Sequence, residues 1–323
     1  MIPRNHFIPK PHLFPFFTLQ LLIEKRYFSK KTIMRNWIDA WLLMRIPFSI
    51  FLMPVFWFTL SDAHFVGTNH FLEIVVLFTI IHILVYPASN GYNSYCDKDE
   101  TPVGGLVSPP KVNRELIYLV TLFDVLAVTI SAYYNTVFAC MMLIYILVSK
   151  AYSWDKIRLK KYPLISTLVV SFFQGFWVYL SIFAFFDVNV FALPVQTYIN
   201  ASVASMFLLG SYPLTQIYQH KSDKIRGDKT LSLLLGIRGT LLFSGIGFSL
   251  ATLVFVINKY VEQQNYQIIN YFIFTLPIGL FLSWWSIKVF RNPENADFKH
   301  TMRMNAVSSL SMSALFIANI ILK

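Results

Sequence analysis

Apolar positions in this chain fall in long, nearly unbroken blocks, and polar positions are confined to the short connections between them. A helix that crosses a bilayer needs about 20 largely apolar residues. Nine blocks meet that length, at 37–60, 71–95, 116–133, 135–153, 164–186, 193–217, 239–258, 268–289 and 302–322. Only helices or closed barrels satisfy their backbone groups inside lipid, and these runs are far too long for barrel strands. The pattern therefore predicts an all-α, polytopic membrane bundle of about nine transmembrane helices around a central cavity.

Composition agrees with the pattern. The 323 residues are 56% hydrophobic and only 13% charged, against about 25% charged in soluble domains. The net charge of +11 raises the question of nucleic acid, but the distribution of bases answers it. One set of connections carries Lys98, Lys111, Arg114, Lys156, Arg158, Lys160, Lys161, Lys221, Lys224, Arg226, Lys229, Arg238, Arg291 and Lys299. The alternating set offers only Lys259. This is the positive-inside bias of a membrane protein, not a nucleic-acid surface. It predicts an integral protein of a bacterial inner membrane, with the N-terminus and basic loops in the cytoplasm and the C-terminus outside. Cys96 and Cys140 have no metal-ligand spacing and are expected to be free thiols.

Residues 1–33 differ from the rest. They are basic and aromatic, with prolines at 3, 9, 11 and 15, and lack a small-residue cleavage site after a clean apolar run. They read as an N-terminal arm, interfacial or disordered, ahead of a transmembrane domain at 34–323. A translation start at Met34 is the alternative.

The chemistry concentrates where two inward-running helices end. Helix 2 closes on Asn90, Asn93 and Asp97, and helix 6 on Gln216, Gln219 and Asp223. Asn93 and Asp97 are four apart, as are Gln219 and Asp223, so each pair shares a face of a continuing helix. Carboxylate and amide oxygens are hard ligands that suit Mg²⁺, which takes one or two carboxylates and leaves its other positions to water and phosphate. The basic loops that follow supply charge for a diphosphate. Behind this polar mouth lies an apolar bundle. An anionic head on a long hydrocarbon tail fits both, and a polyprenyl diphosphate has that shape.

Taken in order, these motifs resemble those of the UbiA-type intramembrane prenyltransferase superfamily. Its first motif, NDxxDxxxD, is matched by Asn93, Ser94, Asp97 and Thr101 in "NSYCDKDET"; its second, DxxxD, by Gln219 and Asp223, followed by Gly227, Thr230, Leu231 and Gly236. Between them, "AYSWDKIRLKKYP" supplies the family's Tyr and basic stretch as Tyr152, Lys156, Arg158 and Lys160. The resemblance spans roughly 35–320 and implies a Mg²⁺-dependent transfer of a prenyl group from a polyprenyl diphosphate to an aromatic small-molecule acceptor within the membrane, in quinone or lipid biosynthesis. It implies Asn93, Asp97, Glu100, Gln219 and Asp223 as metal ligands. It implies Asn93, Lys156, Arg158, Lys160, Lys224 and Arg226 around the diphosphate, with Asp97, Asp223, Tyr152, Lys156 and Arg158 as catalytic residues. Three positions depart from the pattern: Ser94, Thr101 and Gln219 stand where the family has Asp. Fewer carboxylates weaken metal binding or reduce the number of ions, and Asp99 and Glu100 are placed to compensate.

Two other classes stay open at this level. One is a small-molecule transporter, which would place its site at the bilayer midplane on broken helices; the other is an inactive family member that binds lipid or a partner. Asp124 lies mid-span in helix 3, where an ionisable group is a functional suspect or finds a neighbouring helix. His82 reads as a buried polar contact, Arg45 as an inner-leaflet anchor, and Gln174 and Asn200 as acceptor contacts or interhelical hydrogen bonds.

Overall fold

The computed structural model describes residues 34–63 and 70–322, so the N-terminal arm and most of the loop after the first helix lie outside the described residues. Nine long helices follow in chain order among the described residues. They are α1 (Met34–Asp62), α2 (Phe71–Asp97), α3 (Arg114–Tyr134), α4 (Thr136–Ser153) and α5 (Pro163–Phe185). Then come α6 (Val195–Gln216), α7 (Leu231–Val261), α8 (Asn265–Arg291) and α9 (Phe298–Ile321). All except α6 are long and apolar enough to cross a membrane. The ninth expected span exists as a helix, but Gln196, Thr197, Asn200, Ser202 and Ser205 dilute its apolar run. It packs between α5 and α7 instead of facing lipid alone.

The outer surface is greasy. On α7, Leu242, Ile246, Leu250, Leu253 and Ile257 recur every three or four residues and are all exposed. On α8, Phe272, Ile273, Leu276 and Leu280 do the same. An apolar stripe on the outside of a helix is stable only in a lipid solvent, and the protein is an integral membrane protein.

Helix irregularities shape the interior. Pro87 lacks an N–H and crowds the carbonyl four residues earlier; just before it, α2 carries a π-helical turn, Thr79–Val85. α5 has another at Phe173–Trp177, where the Phe176 N–H donates to Ser205 Oγ of α6 at 2.8 Å. The neighbouring Gly175 permits that approach, since a Cβ there would lie 2.6 Å from the Ser205 backbone. In α1, Arg45 takes the left-handed conformation with φ 50, and a 3-10 segment Ile46–Leu52 leads into Met53–Asp62.

One end of the bundle is tied by charge. Lys259 of α7 is fully buried, and its Nζ lies 2.8 Å from Asp62 Oδ1 and 2.7 Å from Glu262 Oε2. Asp62 also accepts from Tyr179 Oη at 2.5 Å and from Asn200 Nδ2 at 3.0 Å. Asn258 Nδ2 donates to Asn200 Oδ1 at 2.9 Å. The network joins α1, α5, α6 and α7 at the end away from Asp97. Asn200 therefore makes an interhelical hydrogen bond there, not a contact in the cavity.

Candidate active site

At the opposite end, a cavity of about 820 Å³ opens between the helices. Its deeper wall is apolar and aromatic, with Phe58, Phe207, Phe248, Tyr271 and Phe316 among its lining. Its mouth is polar. α2 stays helical through Asp97, so Asn93 and Asp97 do share a face, and both line the cavity. α6 does not simply continue. A 3-10 turn, Ile217–Gln219, and a short helix, His220–Arg226, follow it. This jog still brings Gln219 and Asp223 to the same cavity. Gly227 then takes φ 73, a left-handed value that suits glycine, and turns the chain so that Asp228 and Thr230 also face the mouth.

Three bases crowd Asp97. Lys160 Nζ is in direct contact with Oδ1, Arg158 Nη2 lies 3.5 Å from Oδ1 and Arg226 Nη1 lies 3.7 Å from Oδ2. Arg158 is held by a two-pronged pair with Asp228, at 3.0 and 2.9 Å, and by Asp155 at 2.9 Å. Arg226 also contacts Asp99. Asp223 is treated differently: its carboxyl accepts from Thr230 Oγ1 at 3.2 Å. Burial pushes Asp223 up to about 6, against the pull of that hydroxyl and of Arg226. Burial likewise raises Asp99, with Arg226 opposing it.

The other expected residues separate into two groups. Tyr152 lines the cavity, its hydroxyl in short contact with that of Tyr212. Asn93 Oδ1 accepts from Ser153 Oγ at 2.8 Å, and Gln219 Nε2 donates to Tyr218 Oη at 2.8 Å. Lys156, Lys224 and Glu100 are exposed and do not line the cavity. Lys156 lies over the Trp154 ring at 5.5 Å. The reason is local: Arg158 adopts φ 44 at the start of the 3-10 turn Leu159–Lys161. The chain reverses there, so Arg158 and Lys160 point inward while Lys156 is left outside.

Three further charged residues belong to the mouth: Arg45, expected as an inner-leaflet anchor, Asp99, expected only to compensate for missing carboxylates, and Asp228, for which nothing was expected. Arg45 is buried, lines the cavity and donates from Nη2 to the Asn90 carbonyl at 2.9 Å. Asp99 and Asp228 line it as well. Pro47 signals a break in α1 near Arg45, but not the left-handed turn that buries it; nothing in sequence spacing signals the Arg158–Asp228 pair. Asp124 pairs with Lys150 at 2.7 Å between α3 and α4. His82 Nδ1 meets the Ser49 carbonyl at 3.2 Å in an aromatic cage.

The resemblance drawn from the sequence motifs implies Mg²⁺ at this mouth. Among the described residues, no three His, Cys, Asp or Glu side chains converge as a ready metal set. The groups at the mouth that could ligate a cation nonetheless offer oxygen: the amides of Asn93 and Gln219 and four carboxylates, of which Asp99 contacts Arg226 and Asp228 is paired with Arg158. That suits an ion which takes one or two protein carboxylates and completes its shell with phosphate and water. The charge balance points the same way. Asp97, Asp99, Asp223 and Asp228 line the mouth against Arg45, Lys160 and Arg226, while Arg158 reaches Asp97 and Asp228 from outside the lining and also pairs with Asp155. A mouth with no excess of base needs added cations to receive a diphosphate.

The profile of the UbiA prenyltransferase family matches residues 51–309. The chain belongs to the UbiA prenyltransferase family. Solved structures agree at the level of fold. A UbiA homolog from Archaeoglobus fulgidus bound to DMAPP and Mg²⁺ is similar with a TM-score of 0.62 at 16% identity, covering 88% of this chain and 99% of that one. The same homolog bound to GPP and Mg²⁺ gives 0.60 at 16%, covering 87% and 99%. A structure described for digeranylgeranylglyceryl phosphate synthase gives 0.57 at 18%, covering 89% and 98%. No curated protein matches the chain.

Proposed function

We propose that this UbiA-family chain transfers a prenyl group from a polyprenyl diphosphate to a small acceptor, within the membrane and dependent on Mg²⁺. The observation that carries the reading is the convergence of Asp97 and Asp223 on one polar mouth above an apolar cavity of about 820 Å³. The relatives of like fold were solved with DMAPP or GPP and Mg²⁺, which supports the same donor chemistry here. The mouth is assigned to the cytoplasmic side of a bacterial inner membrane, on the bias of basic loops. The transmembrane domain is assigned to 34–323.

Each side chain has a part. Asp97 and Asp223, with the amide oxygens of Asn93 and Gln219, would hold Mg²⁺, and the ion supplies charge neutralisation to the departing diphosphate. Arg158, Lys160 and Arg226 turn from Asp97 toward the diphosphate oxygens as it binds. The bond from C1 of the prenyl chain to the bridging oxygen breaks, and its electron pair leaves with diphosphate. The allylic cation is steadied by the faces of aromatic lining residues, and the paired Tyr152 and Tyr212 line the same cavity as the acids. A nucleophilic atom of the acceptor bonds to C1, and the proton it loses passes to solvent at the mouth. Apolar walls keep water from C1.

The test is a product mass. Purified protein in detergent is offered geranylgeranyl diphosphate and a mixed acceptor pool. An acceptor heavier by one prenyl group supports the reading. Binding of the donor without any product assigns the chain to the inactive, lipid-binding class instead.

A further inference from the structure

An aromatic pair closes the deep end of the cavity. Phe58 of α1 and Phe316 of α9 are both buried, and on each helix it is the last residue, counted from the mouth, that the cavity touches. Their rings stack at 4.5 Å with 16° between the planes. Both are held from outside the cavity. Ser309 Oγ donates to the Ile50 carbonyl at 2.6 Å and pins α9 to α1 nearer the mouth. Phe58 also meets Tyr179 edge-on at 5.3 Å and Phe255 at 5.9 Å. Behind it stands the buried ion network. Lys259 Nζ lies 5.9 Å from the centre of the Phe58 ring, and Asp62, one turn after Phe58, holds that amine at 2.8 Å. The depth is gauged along α1. Arg45 marks the mouth and Phe58 lies thirteen residues further on, roughly 20 Å at helical rise.

We infer that Phe58 and Phe316 are the floor that sets the longest prenyl chain the protein accepts. The inference rests on the prenyl-transfer reading above and bounds the donor class for that site. With the diphosphate fixed at Asp97 and Asp223, C1 is fixed too, and each added prenyl unit carries the tail further down the apolar cavity. Contacts with the walls favour a longer tail until it meets the stacked rings. To go further it must displace side chains packed against a buried ion pair, and a close-packed interior yields little. The ion network takes no part in the chemistry at the mouth; it backs the floor.

The experiment measures diphosphate release from a series of all-trans prenyl diphosphates, from dimethylallyl to octaprenyl in steps of one unit, with one fixed acceptor pool. The variants are Phe316→Ala and Phe58→Leu, which deepen the cavity, and Val55→Phe, which fills it one turn above Phe58. In the parent, kcat/KM should fall about tenfold or more beyond one donor length. Phe316→Ala and Phe58→Leu should move that fall to a longer donor, and Val55→Phe to a shorter one. Loss of stability alone lowers kcat/KM for every donor alike and leaves the fall where it was, so the ratios between donors separate the two effects. Should Phe316→Ala fail to fold, Val55→Phe carries the same test in the opposite direction from another helix. A parent whose kcat/KM shows no fall with length would overturn the inference, since its tail then leaves the cavity between helices. Variants whose fall stays at the parent's length would overturn it as well. Absence of diphosphate release from every donor in the parent would instead overturn the prenyl-transfer reading itself.

Discussion

Replacing Lys259 by Met should cost more stability than any change at the protein surface. The side chain is fully buried and its Nζ lies within 2.8 Å of two carboxylates, Asp62 and Glu262. Met keeps the volume but leaves both acids without their cation. The hydroxyl of Tyr179 and the amides of Asn200 and Asn258 remain, yet none carries charge. Breaking a buried ion pair by removing one partner costs about 3–5 kcal/mol, a melting shift on the order of 10 °C for a chain of this size. The assay is thermal unfolding in detergent, beside a triple variant, Asp62→Asn with Lys259→Met and Glu262→Gln. The triple variant is neutral and keeps the hydrogen-bond partners, so it should regain most of the loss. A Lys259→Met protein as stable as the parent would refute the reasoning, because the charges would then have to be hydrated or protonated.

Three further outcomes follow from particular contacts. Gly175→Ala places a methyl 2.6 Å from the Ser205 backbone; it should destabilise the protein by about 1–3 kcal/mol, read as a lower melting temperature, whereas Gly279→Ala meets nothing within 4 Å and should be silent. Asp228→Asn removes the charge from the two-pronged pair with Arg158, a loss of about 1.5–3 kcal/mol, and should raise the donor KM by about tenfold or more in steady-state kinetics. Lys156→Ala and Lys224→Ala, both exposed and outside the cavity lining, should leave donor kinetics within about twofold, whereas Lys160→Ala, whose amine contacts Asp97, should abolish turnover.

The helical frame was legible because lipid imposes a length on every span. The nine apolar runs became nine helices among the described residues, and the long gap between Asp223 and residue 239 hid only the first turns of α7, which begins at Leu231. Asp97 and Asp223 were legible through four-residue spacing at helix ends. What was not legible depends on turns that pattern does not encode. The reversal at Arg158 decides that Lys160 reaches Asp97 while Lys156 faces out. The Arg158–Asp228 pair spans 70 residues of sequence, and the buried position of Arg45 follows from a left-handed residue inside an apolar run. Asn200 read as polar in either role; only packing against Asp62 and Asn258 assigned it to the ion network.

The most direct test of the central claim is diphosphate release from geranylgeranyl diphosphate, titrated with Mg²⁺, in the parent protein and in Asp97→Asn, Asp223→Asn and the double variant. The account predicts release that requires Mg²⁺, and its loss in all three variants while the melting temperature stays near that of the parent. Full release in the double variant, or undiminished release in the presence of excess EDTA, would contradict it.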